Sequence, residues 1–333
     1  MSGASSSAGV WSTRLEPARR PGDLPSRPDD PRLGDIVEFW NGDSATITPG
    51  RAVLVGFPQD EGVRRNGGRV GAADAPDAIR HWLYRLTATD AFAELDLLPP
   101  LDIGNVRVWA NLEQSQDDLA GVVAALLNAG AVPVVLGGGH ETAYGHFLGY
   151  VAARRKVGIV NIDAHLDVRP CGATGGHSGS PFRQAFEYVA HPLAHYVCLG
   201  TQPHAVARDH VRYVQKHGGQ IRWCSDVAGR LVDQFEAACK SIANDECQVY
   251  VTLDADAVCM AEVPGVSAPN PVGLSGHEVI ECARRAGACS QVTSFELVEI
   301  NPYFDADGQS ARWAALVIWR FLAGLAERGR STV

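Results

Sequence analysis

The chain has 333 residues, 46% hydrophobic and 20% charged, which is ordinary for a globular protein and leaves ample core for one large α/β domain or two smaller ones. Twenty-nine basic against 38 acidic residues give 29 − 38 = −9, which argues against a nucleic-acid partner and offers nothing to an anionic membrane surface. Eight cysteines, from Cys171 to Cys289, contain no C-x-x-C pair, which excludes a zinc ribbon and a redox motif and points to reduced thiols. No apolar run approaches the roughly 18 residues that span a bilayer, and the start lacks an apolar signal core, so a cytoplasmic protein is expected.

In chain order, residues 1–35 are rich in Ser, Pro, Gly and Arg and are expected to be a mobile N-terminal segment ahead of a single domain over 36–333. From residue 51 short apolar runs read as strands: "AVLVGF" (52–57), "VPVVL" (132–136), "VGIVNI" (157–162), "HYVCLG" (195–200), "IRWC" (221–224), "VYVTLD" (249–254) and "VTSFELV" (292–298). They are almost continuously apolar, as strands covered on both faces should be. Helical patterns lie between them. Pro76 suits a first turn and is followed by Ile79, Trp82, Leu83 and Leu86 at i, i+3, i+4 and i+7. Leu119, Val122, Val123, Leu126 and Leu127 repeat the stripe before "NAG", a C-cap signal, and "ARWAALVIWRFLAGL" is apolar almost all round. The alternation predicts one α/β domain with a mainly parallel sheet, whose ligands bind beyond the carboxyl ends of the strands.

Three polar clusters follow apolar strands and would emerge at that edge. "VVLGGGHE" supplies His140; "VNIDAHLDVRP" supplies Asp163, His165 and Asp167; "VYVTLDADAV" supplies Asp254 and Asp256. On a strand, alternate residues share a face, so each cluster would aim its acids into one space. Buried acids need something positive among them. Four carboxylates with two imidazoles and no thiolate are unlike a structural zinc site and suit Mn²⁺ best, with Fe²⁺, Co²⁺ or Ni²⁺ as rivals. Two divalent ions would neutralise the four acids and share a water acidic enough to become a nucleophile near neutral pH. The glycine run lacks the Walker lysine and the G-x-G-x-x-G spacing, which disfavours a phosphate loop.

"GGGHE", "NIDAHLDVR" and "TLDAD" resemble, in order and spacing, the metal motifs of the ureohydrolase family of arginases, agmatinases and formimidoylglutamases, over about residue 50 to the end. The resemblance implies a three-layer α/β/α sandwich around an eight-stranded, mainly parallel sheet. It implies two Mn²⁺ per subunit, one held by His140, Asp163, Asp167 and Asp254 and the other by Asp163, His165, Asp254 and Asp256. It also implies a homo-oligomer.

Four stretches bear on the substrate, of which the first three resemble the formimidoylglutamase branch and the fourth a segment of the whole family. Glu141 follows the metal histidine in "HETAYGHFLGY". "SGSPF" puts Ser178 where agmatinases have a histidine, with His177 beside it. "DEGVRRNGGRVGA" (60–72) offers Arg64, Arg65 and Asn66 to the carboxylates of an acidic substrate, because guanidinium forks suit carboxylates. "FELVEINPYF" places Glu299 where the family holds the cationic amidine or guanidine. The implied reaction is hydrolysis of N-formimidoyl-L-glutamate to L-glutamate and formamide, in histidine degradation, through a metal-bridging hydroxide. Asp167 is the candidate proton carrier, by analogy. The alternatives are a guanidino-acid hydrolase or agmatinase, or a metal-binding interaction protein without activity.

Overall fold

The computed structural model describes residues 11–24, 28–88, 98–190, 193–243 and 247–328. Ten strands form one sheet among them. Two are two-residue pieces, β1 (Leu15–Glu16) and β2 (Glu38–Phe39). The others are β3 (Ala52–Phe57), β4 (Leu101–Val106), β5 (Val132–Gly137), β6 (Val157–Ile162), β7 (His195–Thr201), β8 (Gln220–Trp223), β9 (Gln248–Asp254) and β10 (Val292–Val298). The order β4-β3-β5-β10-β9-β6-β7-β8 is parallel throughout, with β2 added parallel and β1 antiparallel on β4. The expected eight parallel strands are therefore present, and the sheet is larger by the two short N-terminal pieces.

Side chains alternate between two cores. Val53, Val55 and Phe57 of β3 pack with the helices α3 (Leu112–Asn128) and α4 (Thr142–Ala152). Leu54 faces the opposite core with α2 (Ala75–Leu83), α5 (Leu231–Ala243), α6 (Gly276–Ala288) and α7 (Gln309–Arg328). A further short helix, α1 (Glu61–Arg65), follows β3. Helices cover both faces of the sheet, giving three layers. Among the described residues no helix is long and apolar enough to cross a membrane.

Two expectations change. The N-terminal segment does not become ordered only at residue 36: Leu15 pairs with Val106, Trp11 stacks on Trp40 with ring centroids 5.0 Å apart, and Trp11, Leu15, Leu24 and Leu33 are buried. Four large apolar side chains in a polar background are invisible to average composition, yet burying each is worth roughly 1.5–3 kcal/mol. Residues 1–10 and 25–27 of that segment lie outside the described residues. The strand "LDIGNV" (β4) escapes the apolar-run criterion because Asp102, Gly104 and Asn105 interrupt it. Gly104 has φ +91°, and an added Cβ there would sit 2.0 Å from the Glu16 carbonyl oxygen, where β1 crosses.

Candidate metal centre

The carboxyl ends of β5, β9, β10 and β6, four neighbours at the middle of the sheet, carry the polar clusters to one edge. After β5 the glycine run lets the chain pack tightly: a Cβ on Gly138 would lie 1.9 Å from the Gln59 carbonyl oxygen. His140 then sits at the start of α4, 1% exposed. The acids do not reach the site by strand alternation. β6 ends at Ile162, and Asp163 Oδ1 turns the chain by accepting the His165 amide at 2.7 Å. Asp254 closes β9 with the same device, its Oδ1 accepting the Asp256 amide at 2.8 Å. Each pair is thus built by an Asx-type turn in which the first acid keeps its second oxygen for the site.

The side chains converge. His140 Nδ1 lies 2.9 Å from Asp167 Oδ2, 3.1 Å from Asp254 Oδ2 and 3.4 Å from Asp163 Oδ2. His165 Nδ1 lies 3.3 Å from Asp256 Oδ2 and 3.4 Å from Asp163 Oδ1. His140, Asp163, Asp167 and Asp254 form one donor set, and Asp163, His165 and Asp256 another, the donor atoms of each within 4.8 Å of one another. Asp163 belongs to both, one oxygen toward each imidazole. Asp254, expected in both sets, joins only the first at this distance.

The electrostatics describe a site short of positive charge. Burial alone would pull the His140 imidazole down, but the carboxylates of Asp163, Asp167 and Asp254 crowded around it outweigh that and raise its pKa well above the usual value. Attraction to Asp256 raises His165 in the same way. Burial, with Asp256 and Asp163 alongside, raises Asp254 well above the carboxylate range, and burial pushes Asp256 up to about 6. Asp163 is burdened by burial but held low by its contacts with His140 and His165. No lysine or arginine among the described residues bonds to these acids, while His140 Nδ1 and Asp256 Oδ1 are buried without a hydrogen-bond partner. Carboxylate oxygens and imidazole nitrogens, partly orphaned and crowded around two points, fit a pair of divalent cations.

A cavity of about 310 Å³ opens over this cluster. Glu299 reaches it from the end of β10: Oε1 accepts the His140 amide at 2.9 Å, and Oε2 is buried without a partner. Burial and the nearby Asp254 raise its carboxyl well above the usual range. Asp167 and Glu299 both have left-handed backbones, φ +46° and +67°, a conformation non-glycine residues adopt at a cost and which concentrates at functional sites.

Asn66 and Ser178 line the cavity, joined by a 3.1 Å hydrogen bond from Asn66 Nδ2 to Ser178 Oγ. Arg64 and Arg65 do not. Arg64 points to solvent and pairs with Glu61 at 2.5 Å, and Arg65 is spent on Glu113 at 2.6 Å, Glu61 and the Gly176 carbonyl. The helix α1 turns both away, since their own acids lie three and four residues back along it or on α3. The guanidinium groups at the cavity are Arg69 and Arg169. Arg69 is held by the Ser267 carbonyl at 3.0 Å and by that of Val266. Arg169 donates to Asn66 Oδ1 at 3.0 Å and is otherwise exposed. The missed signal lay in plain view, because Arg169 stands two residues beyond Asp167 in "LDVRP". His177 cannot replace the absent histidine: Nδ1 accepts the Gly179 amide at 3.1 Å, and Nε2 lies 3.1 Å from the Pro170 carbonyl.

Comparison with known proteins agrees with this geometry. The arginase-family model matches residues 50–324. A formimidoylglutamase of Rhodococcus jostii is 38% identical, covering 82% of this chain and 86% of its own. One of Klebsiella pneumoniae is 34% identical, covering 94% and 96%. Among solved structures, a Trypanosoma cruzi formiminoglutamase with two Mn²⁺ ions superposes with a TM-score of 0.79 at 32% identity, covering 90% of this chain and 100% of that one.

Proposed function

The chain belongs to the arginase family, and on that premise we propose that it hydrolyses N-formimidoyl-L-glutamate to L-glutamate and formamide, a step of histidine degradation, with two Mn²⁺ per subunit. One juxtaposition carries the reading. A double donor set to which no lysine or arginine among the described residues bonds and an exposed guanidinium, Arg169, face the same cavity. The first suits an amidine-hydrolysing centre and the second suits a substrate with carboxylates. The formimidoylglutamase relatives support the substrate, and the manganese in the T. cruzi neighbour supports the metal.

His140, Asp163, Asp167 and Asp254 would hold one ion, and Asp163, His165 and Asp256, with Asp254 at their border, the other. A dinuclear centre supplies charge neutralisation and a water acidified enough to attack near neutral pH. The chain's own residues then do the positioning. Glu299 receives the cationic amidine on Oε2 and so presents its carbon to attack. Asn66, Ser178 and Arg169, with Arg69 behind them, fix the glutamate carboxylates. Asp167, whose Oδ2 faces His140, uses Oδ1 to carry a proton from the attacking water to the departing amine as the C–N bond to glutamate breaks.

We extend the proposal to a cytoplasmic protein, which eight free thiols favour, and to a homo-oligomer, which the family resemblance and the exposed Val70, Tyr303 and Phe304 favour. Light scattering on the purified protein tests the last point. The reaction is tested by assaying manganese-loaded protein in parallel on formimidoylglutamate, agmatine, arginine and guanidinobutyrate. Formamide and glutamate released from the first alone is the expected result. Urea from a guanidino compound would move the protein to another branch of the family, and no turnover at all with two metals bound would make it a binding protein.

A further inference from the structure

Glu296, on β10, is fully buried and directs its hydrogen bonds to His146, Tyr250 and Thr252 rather than to the donor residues. Its Oε1 accepts the Tyr250 hydroxyl at 2.7 Å and the Thr252 hydroxyl at 2.9 Å. Its Oε2 lies 2.9 Å from His146 Nδ1. His146, also fully buried, stacks on Tyr250 with centroids 4.1 Å apart and places Nε2 2.9 Å from Ser294 Oγ, which in turn meets the Tyr150 hydroxyl at 2.7 Å. No sequence motif assigns His146 or Glu296 a role, and a buried acid and imidazole so fully bonded are not there by default.

At one end the network runs from the Tyr150 hydroxyl to Thr293 Oγ1 at 2.7 Å, and at the other it leads to the site. Thr252 Oγ1 lies 3.2 Å from His140 Nε2. A hydroxyl has a single hydrogen, and Thr252 gives it to the Glu296 carboxylate, so toward His140 its oxygen can only accept. The Nε2 proton of His140 is thereby required. In the neutral ring the other nitrogen, Nδ1, then carries the lone pair, and Nδ1 is the atom that faces Asp163, Asp167 and Asp254 and has no hydrogen-bond partner. The opposite tautomer would place N–H against those acids and leave no lone pair for a metal.

We propose that Thr252 and Glu296, with His146 holding Glu296 in place, are positioning residues that fix His140 in the tautomer whose Nδ1 is open to a divalent cation. This rests on the metal-centre part of the reading above and is independent of the substrate. Carboxylates that orient metal-bound histidines directly are common, and here a threonine is interposed.

The test is Mn²⁺ titration of the full-length, metal-stripped protein, with free Mn²⁺ read by electron paramagnetic resonance so that two classes of site can be resolved. Wild type should bind two ions. Thr252→Val removes the acceptor, and Glu296→Gln, where its amide nitrogen faces Thr252, offers a donor in place of an acceptor and so reverses the proton order. Each should weaken one ion by roughly 10–100-fold and leave the other near its wild-type affinity, because His140 belongs to one donor set only. Thr252→Ser, which keeps the hydroxyl, should restore binding. The double variant should be no weaker than the worse single one, since both act along a single path. Wild-type affinity in Thr252→Val would overturn the inference, as would equal weakening of both ions in Thr252→Val and Thr252→Ser alike. Should Glu296→Gln fail to fold, the two threonine variants decide alone. A wild-type protein that takes up no Mn²⁺ would instead sink the metal-centre reading.

Discussion

Two groups of acids are buried in this molecule, and they are satisfied in opposite ways. Asp102, on β4, is fully buried and answered by the protein itself. Arg80 grips it with two bonds, 2.8 Å and 3.1 Å, the Gly104 amide donates at 2.8 Å, and the Tyr84 hydroxyl adds another. At the other end of the strands, Asp163, Asp254 and Asp256 are equally buried, with two imidazoles, the Asn161 amide and two turn amides for company, and with His140 Nδ1 and Asp256 Oδ1 left over. The first arrangement is complete as folded. The second is completed only by charge brought from outside. Buried acids alone do not identify a site; buried acids that no arginine or lysine answers do.

The comparison is broken most forcefully at the open cluster. Asp254→Ala or Asp163→Ala should lower kcat by at least about a thousandfold, equivalent to about 4 kcal/mol of barrier. The same substitutions should leave the metal-free protein no less stable than wild type, because each removes one of several crowded like charges. Steady-state kinetics at saturating Mn²⁺, with urea unfolding of the stripped protein, would show both halves. Wild-type turnover in either variant would end the two-metal mechanism.

At the closed cluster the outcome should invert. Arg80→Met strands Asp102 without its guanidinium and should cost about 3–5 kcal/mol of stability. Mn²⁺ stoichiometry should stay unchanged in whatever fraction remains folded. Chelation gives the third contrast. Mn²⁺ at a hundred times its Kd should stabilise wild type by about 2.7 kcal/mol per independent site relative to protein in EDTA. Calorimetry should show that gain intact in Arg80→Met and diminished in Asp254→Ala.

Much of this was legible in the sequence, for reasons particular residues make clear. Six of the eight main parallel strands stand out because runs such as "AVLVGF" or "VGIVNI" are buried on both faces and so must be apolar throughout, whereas β8, at the sheet edge, alternates between exposed and half-buried residues. The six donors stand out because acids placed directly after such strands are carried toward the ligand edge of a parallel sheet. β4 was hidden because its polar residues are answered by Arg80, more than twenty positions upstream and on another element. Trp11 and Leu15 were hidden because single anchors vanish in a polar average. The convergence of donors was anticipated, but its cause was not: turns closed by Asp163 and Asp254 aim them, where strand alternation was expected. Arg64 and Arg65, the arginines offered by the sequence, lie off the cavity for a simpler reason. A guanidinium is available to a ligand only if no nearer carboxylate has claimed it, and Glu61 and Glu113 claim these two.

That last point yields the finest test of the comparison, because it contrasts an answered and an unanswered charge of the same chemical type. Arg169 lines the cavity, is exposed, and is steadied by a single neutral partner, Asn66. Arg64 lies on α1 with its guanidinium bonded to Glu61 through both Nε and Nη2, at 2.6 Å and 2.5 Å, and is absent from the cavity lining. Arg169→Ala should therefore raise KM for formimidoylglutamate by about ten- to a hundredfold, since a charge-assisted hydrogen bond to a carboxylate is worth about 1.5–3 kcal/mol. Its kcat should fall less, because the interaction serves substrate and transition state alike. Arg64→Ala should leave both constants within about twofold of wild type, as exposed ion pairs of this kind contribute little. Agmatine, which has no carboxylate, should be indifferent to both substitutions if it is turned over at all. A large KM effect at Arg64 with none at Arg169 would mean that α1 reorganises when substrate arrives, and that the distinction between answered and unanswered charge, secure for Asp102 and Asp254 deep in the fold, does not extend to its surface.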